Sequence, residues 1–253
     1  MVALVAGGAP DLALRIGVAM TLLQLGIGTT NDVVDAPHDA GRKAGKPIPD
    51  GLVRAGSATA LAVACFGAGL VLALTVRLET GVLASIVIAI GLAYDLRLKG
   101  TAWSWLPFAV GIPILPVFGW IGATGGLDPI FAVLLPTAVV AGAALAIGNA
   151  LVDVERDRAA GISSIAVALG TSRATVVAVT LFAAVWILAW ASALRSGAAW
   201  VQVAAVGAVG LVPIVAAAVA PFAASARRER LWQAEAVGLA VMAGVWFATL
   251  ART

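Results

Sequence analysis

Eight stretches of this 253-residue chain stay apolar for about the length that crosses a bilayer, and nothing else in the sequence constrains the fold as strongly. A helix needs roughly 20 predominantly apolar residues to traverse the hydrocarbon core. The runs lie near 10–30, 55–77, 80–95, 103–123, 129–151, 173–194, 199–222 and 231–251, the third being short. None alternates polar and apolar residues as a barrel strand would. Helices, which satisfy their own backbone groups in lipid, are therefore the expected element. Composition agrees, with 62% hydrophobic and 11% charged residues, against about 45–50% and 25% in soluble domains. Too few polar groups are left to cover a water-facing surface. The expected fold is an all-α membrane protein, a transmembrane bundle of about eight helices forming a single domain over residues 1–253. Cys65 is the lone cysteine, which excludes an intrachain disulfide or a thiolate metal cluster. Residues 1–10 lack the basic segment of a secretory signal, so the first apolar helix reads as permanent.

The connecting loops sort by charge. The side reached after the first helix carries Arg42, Lys43, Lys46, Arg54, Arg97, Lys99, Arg156, Arg158, Arg173, Arg227, Arg228 and Arg230, twelve of the 16 basic residues. Positive charge marks the cytoplasmic face, so this side is expected to be cytoplasmic, in a prokaryotic plasma membrane. The same loops are the long ones, and long loops in a compact protein tend to carry function.

Two of these loops open on matched acidic motifs. Asn31-Asp32-Val33-Val34-Asp35-Ala36-Pro37-His38-Asp39 follows the first helix, and Asn149-Ala150-Leu151-Val152-Asp153-Val154-Glu155-Arg156-Asp157 follows the fifth. Both read Asn-x3-Asp-x3-Asp, and the four crossings between them return the chain to the same side. The motifs are thus expected to face one another as a parallel pseudo-repeat. Spacing of i, i+4, i+8 stacks side chains on one helix face. Asn149, Asp153 and Asp157 should form one polar stripe at the end of the fifth helix, and Asn31 with Asp35 another. Pro37 is expected to break the first helix before Asp39.

Five carboxylates (Asp32, Asp35, Asp39, Asp153 and Asp157) converging between apolar helices would repel one another unless cations are present. All-oxygen donors suit hard divalent ions. Mg²⁺ takes one or two carboxylates, keeps waters and completes its shell with substrate phosphates. Basic residues interleaved with the motifs suit the phosphate oxygens that metals leave free, although the positive-inside rule alone accounts for most of them. His38, the sole His, reads as a surface residue, and the eight Trp as interfacial anchors near helix ends. For Glu235, near the start of the last helix, an interfacial and an inward-facing position are both open.

At these motifs the sequence resembles the UbiA superfamily of intramembrane prenyltransferases. Asn31-Asp32-x-x-Asp35-x3-Asp39 is similar to the family's first motif. Lys46-Pro47-Ile48-Pro49-Asp50-Gly51 is similar to the Arg-Pro-x-Pro-x-Gly segment that follows it, with Lys in place of Arg. Tyr94-Asp95-Leu96-Arg97-Leu98-Lys99 resembles the Tyr-and-basic loop, and Asp153 through Gly161, continuing to Leu169-Gly170, the second motif and its tail. The resemblance implies a helical bundle with a central cavity and Mg²⁺-dependent transfer of a prenyl group from a polyprenyl diphosphate to an aromatic or related lipophilic acceptor. It implies metal–diphosphate roles for Asp32, Asp35, Asp39, Asp153 and Asp157. Asp35, Asp153 and Tyr94 would be catalytic, and Asn31, Arg42, Lys46, Arg97, Lys99, Asn149 and Arg156 substrate-binding. The partners implied are the bilayer, the diphosphate and the acceptor, with no nucleic acid. The family usually has nine helices; only about ten residues precede the first run here, so one N-terminal helix is expected to be missing.

Other readings share this pattern. Within the same fold the acceptor could be non-aromatic, or the reaction a phosphoribosyl transfer to a polyprenyl phosphate. The first motif looks closer to the chlorophyll-synthase and archaeal-lipid branches, the tail of the second to the menaquinone branch. A cation-coupled transporter also fits parallel repeats and buried acids, but transporters generally hold such carboxylates near the midplane rather than at helix ends.

Overall fold

A computed structural model describes residues 1–41 and 45–250, excepting the side chains of residues 225 and 226. The described residues form eleven α-helices and contain no strand. They are α1 (Val2–Val5), α2 (Pro10–Asp39), α3 (Ala55–Val76), α4 (Leu78–Ala93), α5 (Leu106–Thr124), α6 (Phe131–Val152), α7 (Val154–Ala159), α8 (Ile165–Leu169), α9 (Thr171–Arg195), α10 (Trp200–Val219) and α11 (Ser225–Leu250). A π-helical turn, Tyr94–Leu98, extends α4, and a 3₁₀ turn, Ala220–Phe222, extends α10. Eight of these helices are long and apolar enough to cross a membrane. The chain is a multi-pass membrane protein.

Two compact units emerge. The first comprises α2, α3, α4 and the second half of α5. Its interior is built from small side chains and close backbones: Ala19, Ala73 and Ala84 are fully buried around Leu23 and Phe118. The ring of Phe66 on α3 lies across Gly26 of α2, where an added Cβ would meet it at 2.6 Å. Leu23 packs reciprocally on Gly69 of α3. Without a hydrophobic drive between helices in lipid, association depends on such close approach at small residues. Large apolar residues such as Val63, Val71 and Leu61 point outward, as lipid contact allows.

The second unit comprises the first half of α5 and α6–α11. α6 is its central helix, packed on α5, α9 and α11. Gly142 of α6 rests directly on the backbone of Phe108 and Ala109 in α5. Indole N–H groups tie the other helices together: Trp186 of α9 donates to the Gly207 carbonyl of α10 at 2.9 Å, and Trp246 of α11 to Ser192 Oγ of α9 at 2.6 Å. Trp103 and Trp200 are exposed at helix ends as interfacial anchors would be, but Trp186, Trp232 and Trp246 are interior helix-to-helix donors. A buried indole must find an acceptor, and a neighbouring helix supplies one.

Candidate functional site

In the first unit, the acidic motif lies on the last three turns of α2. The expected break at Pro37 does not occur: α2 runs unbroken to Asp39, with Pro37 inside its final turn. Proline removes one intrahelical bond, here to the Val33 carbonyl, but close to the helix end little remains to be disrupted. Asn31, Asp35 and Asp39 therefore do share a face at i, i+4, i+8 spacing, and Asp39 is buried. His38 is exposed.

Beyond the loop, residues 45–53 fold into a tight turn. The Asp50 carboxylate accepts the Gly45 N–H at 3.0 Å, Leu52 N–H donates to the Pro47 carbonyl, and Gly51 takes a positive φ of 75°. This turn aims Lys46 back at the motif. Its ammonium donates to Asp32 Oδ1 at 2.6 Å and stands 4.0 Å from Asp39 Oδ2. Burial, the largest single influence, pulls the Lys46 pKa down. The hydrogen bond to Asp32 and the charges of Asp32, Asp39 and Asp35 together outweigh it, so the pKa is raised. Arg42, expected to bind substrate, lies outside the described residues.

The π turn brings in a group that sequence reasoning left out. Asn31 Nδ2 donates to Asp95 Oδ1 at 2.8 Å, and Asp95 is buried. This bond ties the first motif to the segment carrying Tyr94, which is half-buried, and Arg97, which is exposed. Asp95 stands inside the Tyr94–Lys99 motif, but a carboxylate between an aromatic and a run of basic residues reads as a solvated helix end. Only the π bulge, a feature frequent at functional sites, turns it inward.

In the second unit the motif departs from the expected stripe. α6 ends at Val152, and Asp153 adopts φ −105°, ψ 9°, outside the helix. Asp157 then sits on the separate helix α7, its N–H donating to the Asp153 carbonyl at 2.8 Å. Asn149 and Asp157 are thus divided by a break at Asp153. Arg156, expected to bind substrate, pairs with Asp153. Glu155 pairs with Arg228 at the start of α11, and the Arg228 hydrogen bond lowers its pKa. Arg228 also donates to the Ala223 carbonyl, so it fastens α7 to the loop before α11. Lys99 is half-buried in the turn after the π helix; in that turn a Cβ on Gly100 would meet Ile162, just past the second motif, at 3.1 Å.

No three His, Cys, Asp or Glu side chains among the described residues stand close enough to hold a metal by themselves. Mg²⁺ typically takes one or two carboxylates and completes its shell with waters and substrate phosphates. The donor set is hard oxygen throughout, and the first motif already brackets a cation.

Fold and motifs together define an intramembrane protein that gathers carboxylates and basic groups at helix ends. The model of the UbiA prenyltransferase family matches residues 1–234, and the chain belongs to that family. It is 32% identical over 185 residues to the digeranylgeranylglyceryl phosphate synthase of Methanopyrus kandleri, covering 71% of this chain and 66% of that protein, just under two thirds. Among solved structures it is similar to the apo UbiA homolog from Aeropyrum pernix K1, with TM-score 0.77, 19% identity and coverage of 96% and 92% of the two chains. It is also similar to the UbiA homolog from Archaeoglobus fulgidus bound to GPP and Mg²⁺, with TM-score 0.70, 18% identity and coverage of 98% and 93%.

Proposed function

We propose that this protein catalyses Mg²⁺-dependent transfer of a prenyl group from a polyprenyl diphosphate to a lipophilic acceptor within the membrane, at the cytoplasmic face of a prokaryotic plasma membrane. The observation that carries this reading is the Lys46 ammonium bracketed by Asp32 and Asp39 at the end of a membrane helix. Carboxylates gathered around an ammonium support a site that could take a metal cation and a phosphate group together. Family membership favours prenyl transfer over cation transport.

The family resemblance gives Mg²⁺-binding roles to Asp32, Asp35 and Asp39 in the first unit and to Asp153 and Asp157 in the second, and Mg²⁺ when bound would supply neutralisation of the charge growing on the leaving diphosphate. Lys46, Arg97, Lys99, Arg156 and Arg42 bind the remaining phosphate oxygens, and Asn31 and Asn149 orient the carboxylates beside them. The allylic C–O bond breaks with its electron pair leaving on diphosphate. The acceptor nucleophile forms the new bond to that carbon and loses its proton. By the same resemblance Tyr94 would lie near the reacting carbon, and apolar helix walls would keep out the water that could otherwise capture it.

For the acceptor, an aromatic compound is one reading. A prenylated glyceryl phosphate is the second, favoured by the identity to the Methanopyrus kandleri protein. The test is diphosphate release from geranylgeranyl diphosphate by purified protein, with both acceptor classes, with and without Mg²⁺. Turnover that requires Mg²⁺ and disappears in Asp35→Ala and Asp153→Ala supports the reading. Wild-type protein that neither turns over nor binds the diphosphate in the presence of Mg²⁺ refutes it.

A further inference from the structure

Glu235 lies on α11, ten residues from its start, within a membrane-spanning segment, and only 2% of it is exposed. The inward-facing alternative is therefore the one realised. Its Oε2 has no hydrogen-bond partner. A carboxyl group buried without a hydrogen-bond partner is expensive, so its presence there calls for a reason. Its neighbour is α6: a Cβ on Gly148 would fall on Glu235 Oε2, so the carboxyl fills the notch that only glycine leaves open. One turn earlier on the same face of α11, Trp232 donates its Nε1–H to the Leu145 carbonyl at 3.1 Å, and its Cδ1 lies 3.4 Å from the same notch. Trp232 and Glu235 thus grip two successive turns of α6. The next residues along α6 are Asn149 and, one turn on, Asp153, where the helix ends.

We infer that Trp232 and Glu235 form a clasp that fixes the end of α6 and so positions Asn149 and Asp153 of the second acidic motif. Glu235 is a positioning residue and touches no substrate. Gln fills the same notch with the same shape. Ala empties it, freeing the last turn of α6 to shift toward α11. An Ala at position 148 pushes the carboxyl out, and the pair Gly148→Ala with Glu235→Ala refills the notch from the other side.

The inference rests on the proposed role of the second motif, and two measurements separate the two. The first is amide hydrogen exchange over residues 149–157 in purified protein, which needs no ligand. Glu235→Ala and Trp232→Phe should speed it by about tenfold while residues 171–195 stay protected, and Glu235→Gln should leave it unchanged. The second is Mg²⁺-dependent binding of geranylgeranyl diphosphate. Glu235→Ala should weaken it by about tenfold, as loss of a group supporting metal-site residues generally does, with Glu235→Gln near wild type and the double variant partly restored relative to Gly148→Ala. Faster exchange in a protein whose wild type binds no diphosphate sinks the prenyl-transfer reading and upholds the clasp. Exchange over 149–157 unchanged in folded Glu235→Ala and Trp232→Phe, or faster everywhere alike, overturns the clasp.

Discussion

Gly142→Ala tests whether α6 owes its place to backbone contact with α5. The added Cβ falls on the Phe108 carbonyl oxygen, 2.7 Å from the Phe108 carbonyl carbon and 2.9 Å from Ala109 Cα. Ordinary contact begins near 3.4 Å, and the obstacles are backbone, so no rotamer change relieves them. The helices must part by roughly 0.5–1 Å, and overpacking of this kind costs about 1–3 kcal/mol. An opposing term is intrinsic: Gly→Ala in a helix gains about 0.5–1 kcal/mol. Gly28 of α2 and Gly67 of α3 isolate that term, because nothing lies within 4 Å of a Cβ at either. Unfolding by SDS titration in mixed micelles should rank Gly28→Ala and Gly67→Ala at or above wild type. Gly142→Ala carries the same intrinsic gain and should fall below those controls by the overpacking cost alone, about 1–3 kcal/mol. A Gly142→Ala protein as stable as the Gly67→Ala control would refute the claim that backbone-to-backbone packing sets the α5–α6 distance.

Three further outcomes follow from the same geometry. Asn31→Ala and Asp95→Ala should be strongly non-additive in a double-mutant cycle of unfolding, with coupling of about 1.5–3 kcal/mol for a part-buried bond to a carboxylate; additive losses would deny that the bond matters. Trp186→Phe should cost about 0.6–1.7 kcal/mol in mixed micelles, the usual range for an interhelical hydrogen bond in a membrane, and no loss would show that the Gly207 carbonyl finds another donor. Lys46→Gln should weaken geranylgeranyl diphosphate binding while sparing the affinity for Mg²⁺ alone, or raising it, because an ammonium no longer competes for Asp32 and Asp39. Lys46→Arg should keep diphosphate binding, and a Lys46→Gln protein that loses Mg²⁺ affinity would contradict the bracketed-cation reading.

The spans were legible because a length ruler and an absence of charge suffice: the α3 run read as 55–77 is Ala55–Val76 in the structure. The ends were not. Pro37 has the same sequence signature wherever it falls in a helix, and its disruption depends on how many turns follow it. The break at Asp153 carries no glycine or proline to announce it; α6 stops there because Asp153 leaves helical dihedrals while its carboxylate pairs with Arg156. The five candidate acidic residues could be named from motif spacing and Lys46 from the family resemblance, but Asp95 could not, since its orientation comes from a π bulge rather than from periodicity. For Glu235 the deciding fact is the missing Cβ of Gly148 on another helix, and for Trp232 the carbonyl of Leu145 on that helix, each 87 residues away in sequence. Such a pairing is invisible to any local pattern.

Close helix contacts made at Ala and Gly have a consequence for where chemistry can sit. Helices that approach through glycine notches leave little room between them for a solvated charge, and a polar side chain placed there, as Glu235 is, comes at a cost in free energy. Helix ends are different, because regular bonding stops there and backbone groups become available. Each segment assigned to the reaction lies at such an irregularity. Pro37 frees the Val33 carbonyl inside the first motif, the π turn begins at Tyr94, and the helical path breaks at Asp153. The tight interior and the irregular ends are therefore complementary. Close packing holds each helix in place up to its end, where Asp39 keeps the face that periodicity gives it, while the departures from regular helix turn Asp95 and Asp153 away from the paths that periodicity alone would give them.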